Sequence, residues 1–209
     1  VSTHNKKLKA IFIHVPKAAG SSLSTPEWNR GNGHKTVADY ENQLGPEFKK
    51  QFVWAFVRNP FDRIVSAYED CPEIFPHAPT FESFIEEIYL HRFQLAGLKS
   101  LRETSVPLFG FPIGRLHFQP MHLLLSDKAG NLRPHFLGRY ENLGRDFKAI
   151  QKQLGVKPEP LVHKNQRKNK PKRRFTKWQD LYTPELVEKV AAIYAKDLEL
   201  FSYDLPAIA

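Results

Sequence analysis

Residues 11–23 read IFIHVPKAAGSSL, and this stretch constrains the fold more than any other. Leu8 to Val15 is short, β-branched or aromatic at several positions, and closed by Pro16, which is the pattern of a buried strand. Lys17 follows, then residues with almost no side-chain bulk: Ala18, Ala19, Gly20, Ser21 and Ser22. Small residues let a backbone turn tightly and approach a ligand closely. Gly20-Ser21-Ser22 suits the start of a helix, where unpaired N–H groups and the helix dipole favour an anion. Lys17 adds a full positive charge and the serines add hydroxyl donors. Together these parts make a phosphate cradle. The competing reading is a plain strand-to-helix connection with an exposed lysine. The pattern G-x-x-x-x-G-K-[ST] is absent, because the lysine precedes the glycine and the leading glycine is missing, so an ordinary ATP or GTP loop fits poorly.

A second basic strand end lies downstream, in FVWAFVRNPFDRIVSAY (residues 52–68). Gln51 to Val57 is apolar and aromatic-rich and reads as another buried strand, with Arg58 at its carboxyl end. Pro60 opens a helix to about Glu69 with Asn59 as its N-cap, and Ser66 stands about two turns along it. In a doubly wound sheet, ligands gather at the carboxyl ends of strands, so Lys17 and Arg58 are expected on one edge. An arginine with a serine on the adjoining helix can hold a phosphate through charge-assisted bonds. Arg63 offers either a second such phosphate contact or a surface pair with Asp62 or Glu69, and the surface reading is preferred.

The remaining chain alternates in the same way. A loop over 24–37 leads to a helix near Thr36 to Leu44, and Thr80 caps a helix over Phe81 to Tyr89. Residues 97–117 read as irregular, and Phe118 to Leu125 as a helix or a partner-contacting segment. Asp127 to Asn131 is a turn, His135 to Tyr140 a strand, and Leu143 to Leu154 an amphipathic helix ended by Gly155. HKNQRKNKPKRR (163–174) is a strongly basic loop, and Thr183-Pro184-Glu185 opens a last helix to about Phe201. Alternation of this kind predicts an α/β fold: one domain over 1–209, a P-loop-like three-layer sandwich whose central parallel sheet is flanked by helices.

The 209 residues, 41% of them hydrophobic, suffice for a sizeable core. A net charge of +9 favours anionic partners, whether nucleotides, nucleic acid, acidic glycans or membrane surfaces, without choosing among them. The single cysteine, Cys71, excludes an internal disulfide and fits a reducing compartment. No apolar run approaches the length of a membrane span, and no secretory signal is visible. The expectation is a bacterial cytoplasmic protein, or a Golgi-lumenal one if an anchor precedes Val1; membrane association and oligomeric state stay open.

Two anion sites at neighbouring strand ends suit a ligand with phosphates at both ends. Here the sequence resembles the sulfotransferases, in particular the carbohydrate type typified by the heparan sulfate 2-O-sulfotransferases and their bacterial relatives. IFIHVPKAAGSSL looks like their 5′-phosphosulfate loop and FVRNPFDRIVSAY like their 3′-phosphate motif. HFLGRYENLGRDFKAI, LVHKN and YAKDLELFSYDL resemble later segments. The resemblance implies the cofactor 3′-phosphoadenosine 5′-phosphosulfate (PAPS), leaving as PAP. It assigns Lys17, Ala18, Ala19, Gly20, Ser21 and Ser22 to the 5′-phosphosulfate, and Arg58 and Ser66 to the 3′-phosphate. A late loop closes over the nucleotide in the family; Lys172 and Arg173 in the basic stretch are candidates, against a solvated charge run or a polyanion-binding patch. The acceptor implied is a hydroxyl compound, a carbohydrate or glycolipid, with no nucleic-acid partner. Trp28, Tyr40 and Phe75 either stack on a sugar or belong to the core.

Transfer to a hydroxyl needs in-line attack, a base, and charge stabilisation on the leaving phosphate, a role that suits Lys17. A base working near neutral pH is best supplied by histidine. Of nine histidines, His14 is expected to be buried and structural within the first strand, and His163 is a modest alternative. His34, in GNGHKT, matches a Gly-His segment that supplies the base in the resembled enzymes; the competing reading is a histidine capping the next helix. Glu141 either orients a base or substrate, as a similar segment near the active site of the resembled family implies, or pairs with Arg139 or Arg145; the structural role is preferred. Two other functions compete: an ATP-dependent P-loop kinase, which lacks a clear acidic metal motif here, and a non-catalytic polyanion binder built on the basic face.

Overall fold

The computed structural model describes residues 4–20, 22–23, 34–70, 78–93, 115–161 and 177–208. The chain divides into two compact units: Val1–Arg58 with Leu123–Asn169, and Asn59–His122 with Lys170–Ala209. In chain order the helices are α1 (Val37–Leu44), α2 (Pro60–Asp70), α3 (Phe81–Leu90), α4 (Arg115–Phe118), α5 (Met121–Leu125), α6 (Leu143–Gln153), α7 (Pro184–Ile193) and α8 (Ala195–Phe201). None of these is long and apolar enough to cross a membrane.

The first unit carries a four-stranded sheet in the order β1 (His4–Asn5), β2 (Ala10–Ile13), β3 (Phe52–Val57), β4 (Phe136–Arg139). The pairs β2–β3 and β3–β4 are parallel, as alternation with helices predicts. The departure is β1, which pairs antiparallel with β2. Its connection is a tight turn in which the Lys9 amide donates to the Lys6 carbonyl, and a direct return can only produce antiparallel pairing. The fold is thus α/β with a mostly parallel sheet. β2 is buried along its whole length and β3 everywhere past Phe52, which is why both read as unbroken apolar runs. Phe12, Trp54 and Phe56 pack with Phe147 and Ile150 of α6 on one face. The Phe56 ring lies so close to Gly138 that a Cβ there would meet it at 2.5 Å. Helix α1 begins where Thr36 and Asp39 cap one another reciprocally.

In the second unit, Phe61, Ile64, Phe84, Ile88, Phe118 and Val190 form the apolar core. Asn59 accepts from the Phe61 amide at 2.9 Å, and Thr80 caps α3, both as the sequence suggests. Two expectations are corrected. Arg63 is not a surface residue but fully buried, donating to the carbonyls of His117 and Gln119 and lying over the Tyr194 ring. Carbonyls at and just past the end of α4 take the place of the carboxylates that a surface arginine would find. The last helix is also not continuous to Phe201; it breaks at Tyr194 (φ −114°, ψ 24°) into α7 and α8. Tyr194 is held by tertiary contacts, its hydroxyl donating to Phe118 O at 2.6 Å. Burial pushes the phenols of Tyr194 and Tyr182 upward, so both stay protonated donors; Tyr182 donates to Phe61 O at 2.9 Å.

Asp197, fully buried on α8, accepts from the amides of Met121 and His122 at 2.6 and 2.9 Å and from His122 Nδ1 at 2.7 Å. Removing its carboxylate strands these donors in the interior. Asp197→Ala should therefore cost about 3 kcal/mol of folding free energy, read as a lowered midpoint in urea denaturation, whereas Asp204→Ala on the exposed tail should leave the midpoint unmoved.

Candidate active site

Parallel pairing sends the carboxyl ends of β2, β3 and β4 to one edge of the first unit. Ile13 pairs with Ala55 and Val57 with Arg139. The segment from His14 onward, Arg58 and Tyr140 therefore leave the sheet at that edge, where ligands of parallel sheets bind.

After β2, residues 16–20, 22 and 23 form turns, and the amides of Ser22 and Leu23 both donate to Ala19 O, at 2.8 and 3.2 Å; the body of the helix expected from Gly20-Ser22 onward lies outside the described residues. Lys17 (φ 67°) and Ala19 (φ 74°) adopt the left-handed region, and Ala18 and Gly20 do not. Left-handed backbone costs a non-glycine residue on the order of 1 kcal/mol. Alternating φ signs also curl successive amides toward one point, a nest that suits an anion. Among the described residues, no hydrogen bond ends on the amides of Ala19 or Gly20. Ala19 and Leu23 are packed into the sheet core, which holds the loop in this conformation. Ala18 and Gly20 are buried, and Lys17 and Ser22 half-buried.

Arg58, the first residue past β3, is 5% exposed. Its Nη1 donates to Lys17 O at 2.9 Å, and its guanidinium lies 4.0 Å from the centre of the Tyr140 ring. The strand-end arginine thus touches the loop directly. Glu141 follows in a short 3-10 turn, exposed, while Arg145 pairs with Asp146 at 2.8 Å, not with Glu141.

His34 stands at the same strand end. Its Nδ1 lies 3.2 Å from His14 O, and its ring centre 4.4 Å from that of His14. A carbonyl only accepts, so Nδ1 carries the hydrogen and the neutral ring keeps its lone pair on Nε2. His34 does not cap α1, because Thr36 does. His14 differs from expectation: β2 ends at Ile13, and His14 is half-buried beyond it. Its ring occupies the space beside Gly20, where a Cβ would fall 1.7 Å from His14 Nε2.

Lys17, Ala18, Ala19, Gly20, Ser22, Arg58 and His34 therefore belong to one unit and to segments leaving one sheet edge. Ser66 stands half-buried on α2 of the second unit, and Ser21, Lys172 and Arg173 lie outside the described residues. Sequence reasoning missed Tyr140 and the place of His14. Tyr140 follows Arg139, the residue paired with Val57, so it reaches Arg58 through a sheet register that no single stretch of sequence carries.

The family model described as the sulfotransferase family matches residues 3–204. The chain belongs to the sulfotransferase family. No curated protein and no solved structure matches it. Family membership makes it a transferase of sulfuryl groups to hydroxyl-bearing acceptors, and the loop, the strand-end arginine and the histidine are this sulfotransferase's candidate machinery.

The contact between Gly20 and His14 is open to a direct test. Gly20→Ala should destabilise the chain by about 1–3 kcal/mol through overpacking. In a double-mutant cycle with His14→Ala, which vacates the space, the combined loss in denaturant melts should be clearly smaller than the sum of the single losses.

Proposed function

We propose that the chain uses PAPS as sulfuryl donor, holds its 5′-phosphosulfate at residues 17–22 and its 3′-phosphate at Arg58, and passes the group to a carbohydrate or glycolipid hydroxyl with His34 as base. The observation that carries this reading is the bond from Arg58 to the carbonyl of Lys17: it ties the basic ends of two adjacent parallel strands into one edge. The alternating loop and its amides suit one anionic end of a ligand, and the guanidinium at the neighbouring strand end suits the other. Bound PAPS would supply the sulfuryl group and a leaving phosphate. Lys17 offsets the negative charge that gathers on the leaving side. His34 Nε2 accepts the proton of the acceptor hydroxyl, and the Nδ1–H bond to His14 O steadies the imidazolium that results. A net charge of +9 suits an acidic glycan acceptor, although the same charge would serve a polyanion binder.

Calorimetric titration with PAP, beside ATP with magnesium, tests the donor. PAP should bind without magnesium, and Lys17→Ala or Arg58→Ala should weaken it by at least about tenfold, the loss of one charge-assisted contact. Binding of ATP alone would sink the reading in favour of a kinase, and binding of neither in favour of the polyanion binder.

The base is tested separately. His34→Ala should leave PAP affinity near that of the parent chain while lowering kcat by about 100-fold or more. Unchanged turnover would remove His34 from the mechanism.

A further inference from the structure

We infer that His14 is a positioning residue for the histidine base, gripping the His34 imidazole on two sides at once. The inference rests on the reading of His34 as that base. On the ring edge, His14 O takes the Nδ1 hydrogen at 3.2 Å. On the ring face, the His14 imidazole stands 4.4 Å away, centre to centre, at an interplanar angle of 35°. One hydrogen bond leaves a ring able to pivot about the N···O line. A flat group against the face removes that freedom, so the direction of Nε2 becomes fixed.

The His14 ring is itself held. Phe12 stacks with it at 6.0 Å and 24°, and Gly20 closes on its Nε2 with no room for a side chain. His14 therefore touches both the loop proposed for the phosphosulfate and the histidine proposed as base. Proton transfer in line with group transfer depends on the separation and angle between those two parts, and a misplacement of about 1 Å can cost about 100-fold in rate. A residue that contacts both sets that geometry without meeting the reacting atoms. The glycine in the loop then has a second purpose besides backbone approach: it makes room for the ring that orients the base.

The test is carbon-13 relaxation of the histidine ring Cε1–H groups in the full chain without cofactor, joined to kinetics. In the parent chain and in His14→Phe, which keeps a flat face, the His34 ring should relax as a rigid group. In His14→Ala, which keeps the main-chain carbonyl but removes the face, it should show added ring motion. His14→Leu, filling the space without a flat face, serves the same purpose if the alanine chain does not fold. With PAPS and an acceptor, His14→Ala should lower kcat by about 10- to 100-fold while PAP affinity stays within about threefold, and His14→Phe should recover most of the loss. A His34 ring as rigid in His14→Ala as in the parent chain would overturn the inference. So would a parallel fall of kcat and PAP affinity, which would make His14 a support of the loop. Normal turnover in His34→Ala would instead sink the base reading, and the ring relaxation would still decide whether His14 orients His34.

Discussion

A buried guanidinium organises the edge on which everything else in the first unit depends. Arg58 is almost wholly enclosed, and taking a cation out of water is costly unless its hydrogens and charge find partners. The Lys17 carbonyl takes one N–H, and the Tyr140 ring offers its electron-rich face. Each partner comes from a different strand end, so satisfying this one charge pins the β2 loop, the β3 end and the β4 end to each other. An arginine held this way keeps its remaining donors fixed in direction, which is what recognition of a phosphate rewards.

The loop beside it stores conformational cost in the same place. Two non-glycine residues sit in left-handed backbone, and the loop closes on His14 where only glycine fits. Strain of this sort persists only where the surroundings over-determine it. Here Ala19 and Leu23 are embedded in the core beneath, with Phe12 and Trp54. The amides of the loop are thereby pre-set before any ligand arrives, and pre-set dipoles need no reorganisation during reaction.

The second unit shows the same residue types used for stability. Arg63, Tyr194 and Asp197 are fully or almost fully buried, and each is spent on main-chain partners: Arg63 on two carbonyls, Tyr194 on another, Asp197 on two amides and a histidine. Arg58 and Arg63 are five positions apart in one motif, yet one stands at a strand end and the other inside a core. The sequence separates strand end from helix, but the burial of Arg63 is decided by the distant His117 and Gln119 carbonyls that meet it.

The chain by itself determined what depends on neighbours in sequence. Apolar runs fixed β2 and β3, Thr36, Asn59 and Thr80 fixed helix starts, and Leu143 to Gln153 announced its own amphipathic face, because strand burial, capping and helical periodicity are local properties. Lysine among small residues, and arginine after a strand, likewise marked two segments that meet at one sheet edge. Tertiary structure decided the rest. The break at Tyr194, the burial of Arg63, the pairing of Tyr140 with Arg58 and the seat of His14 between Gly20 and His34 each join residues far apart in the chain. Such contacts are set by packing and by the need to satisfy buried polar groups, and neither is written in any single stretch of sequence.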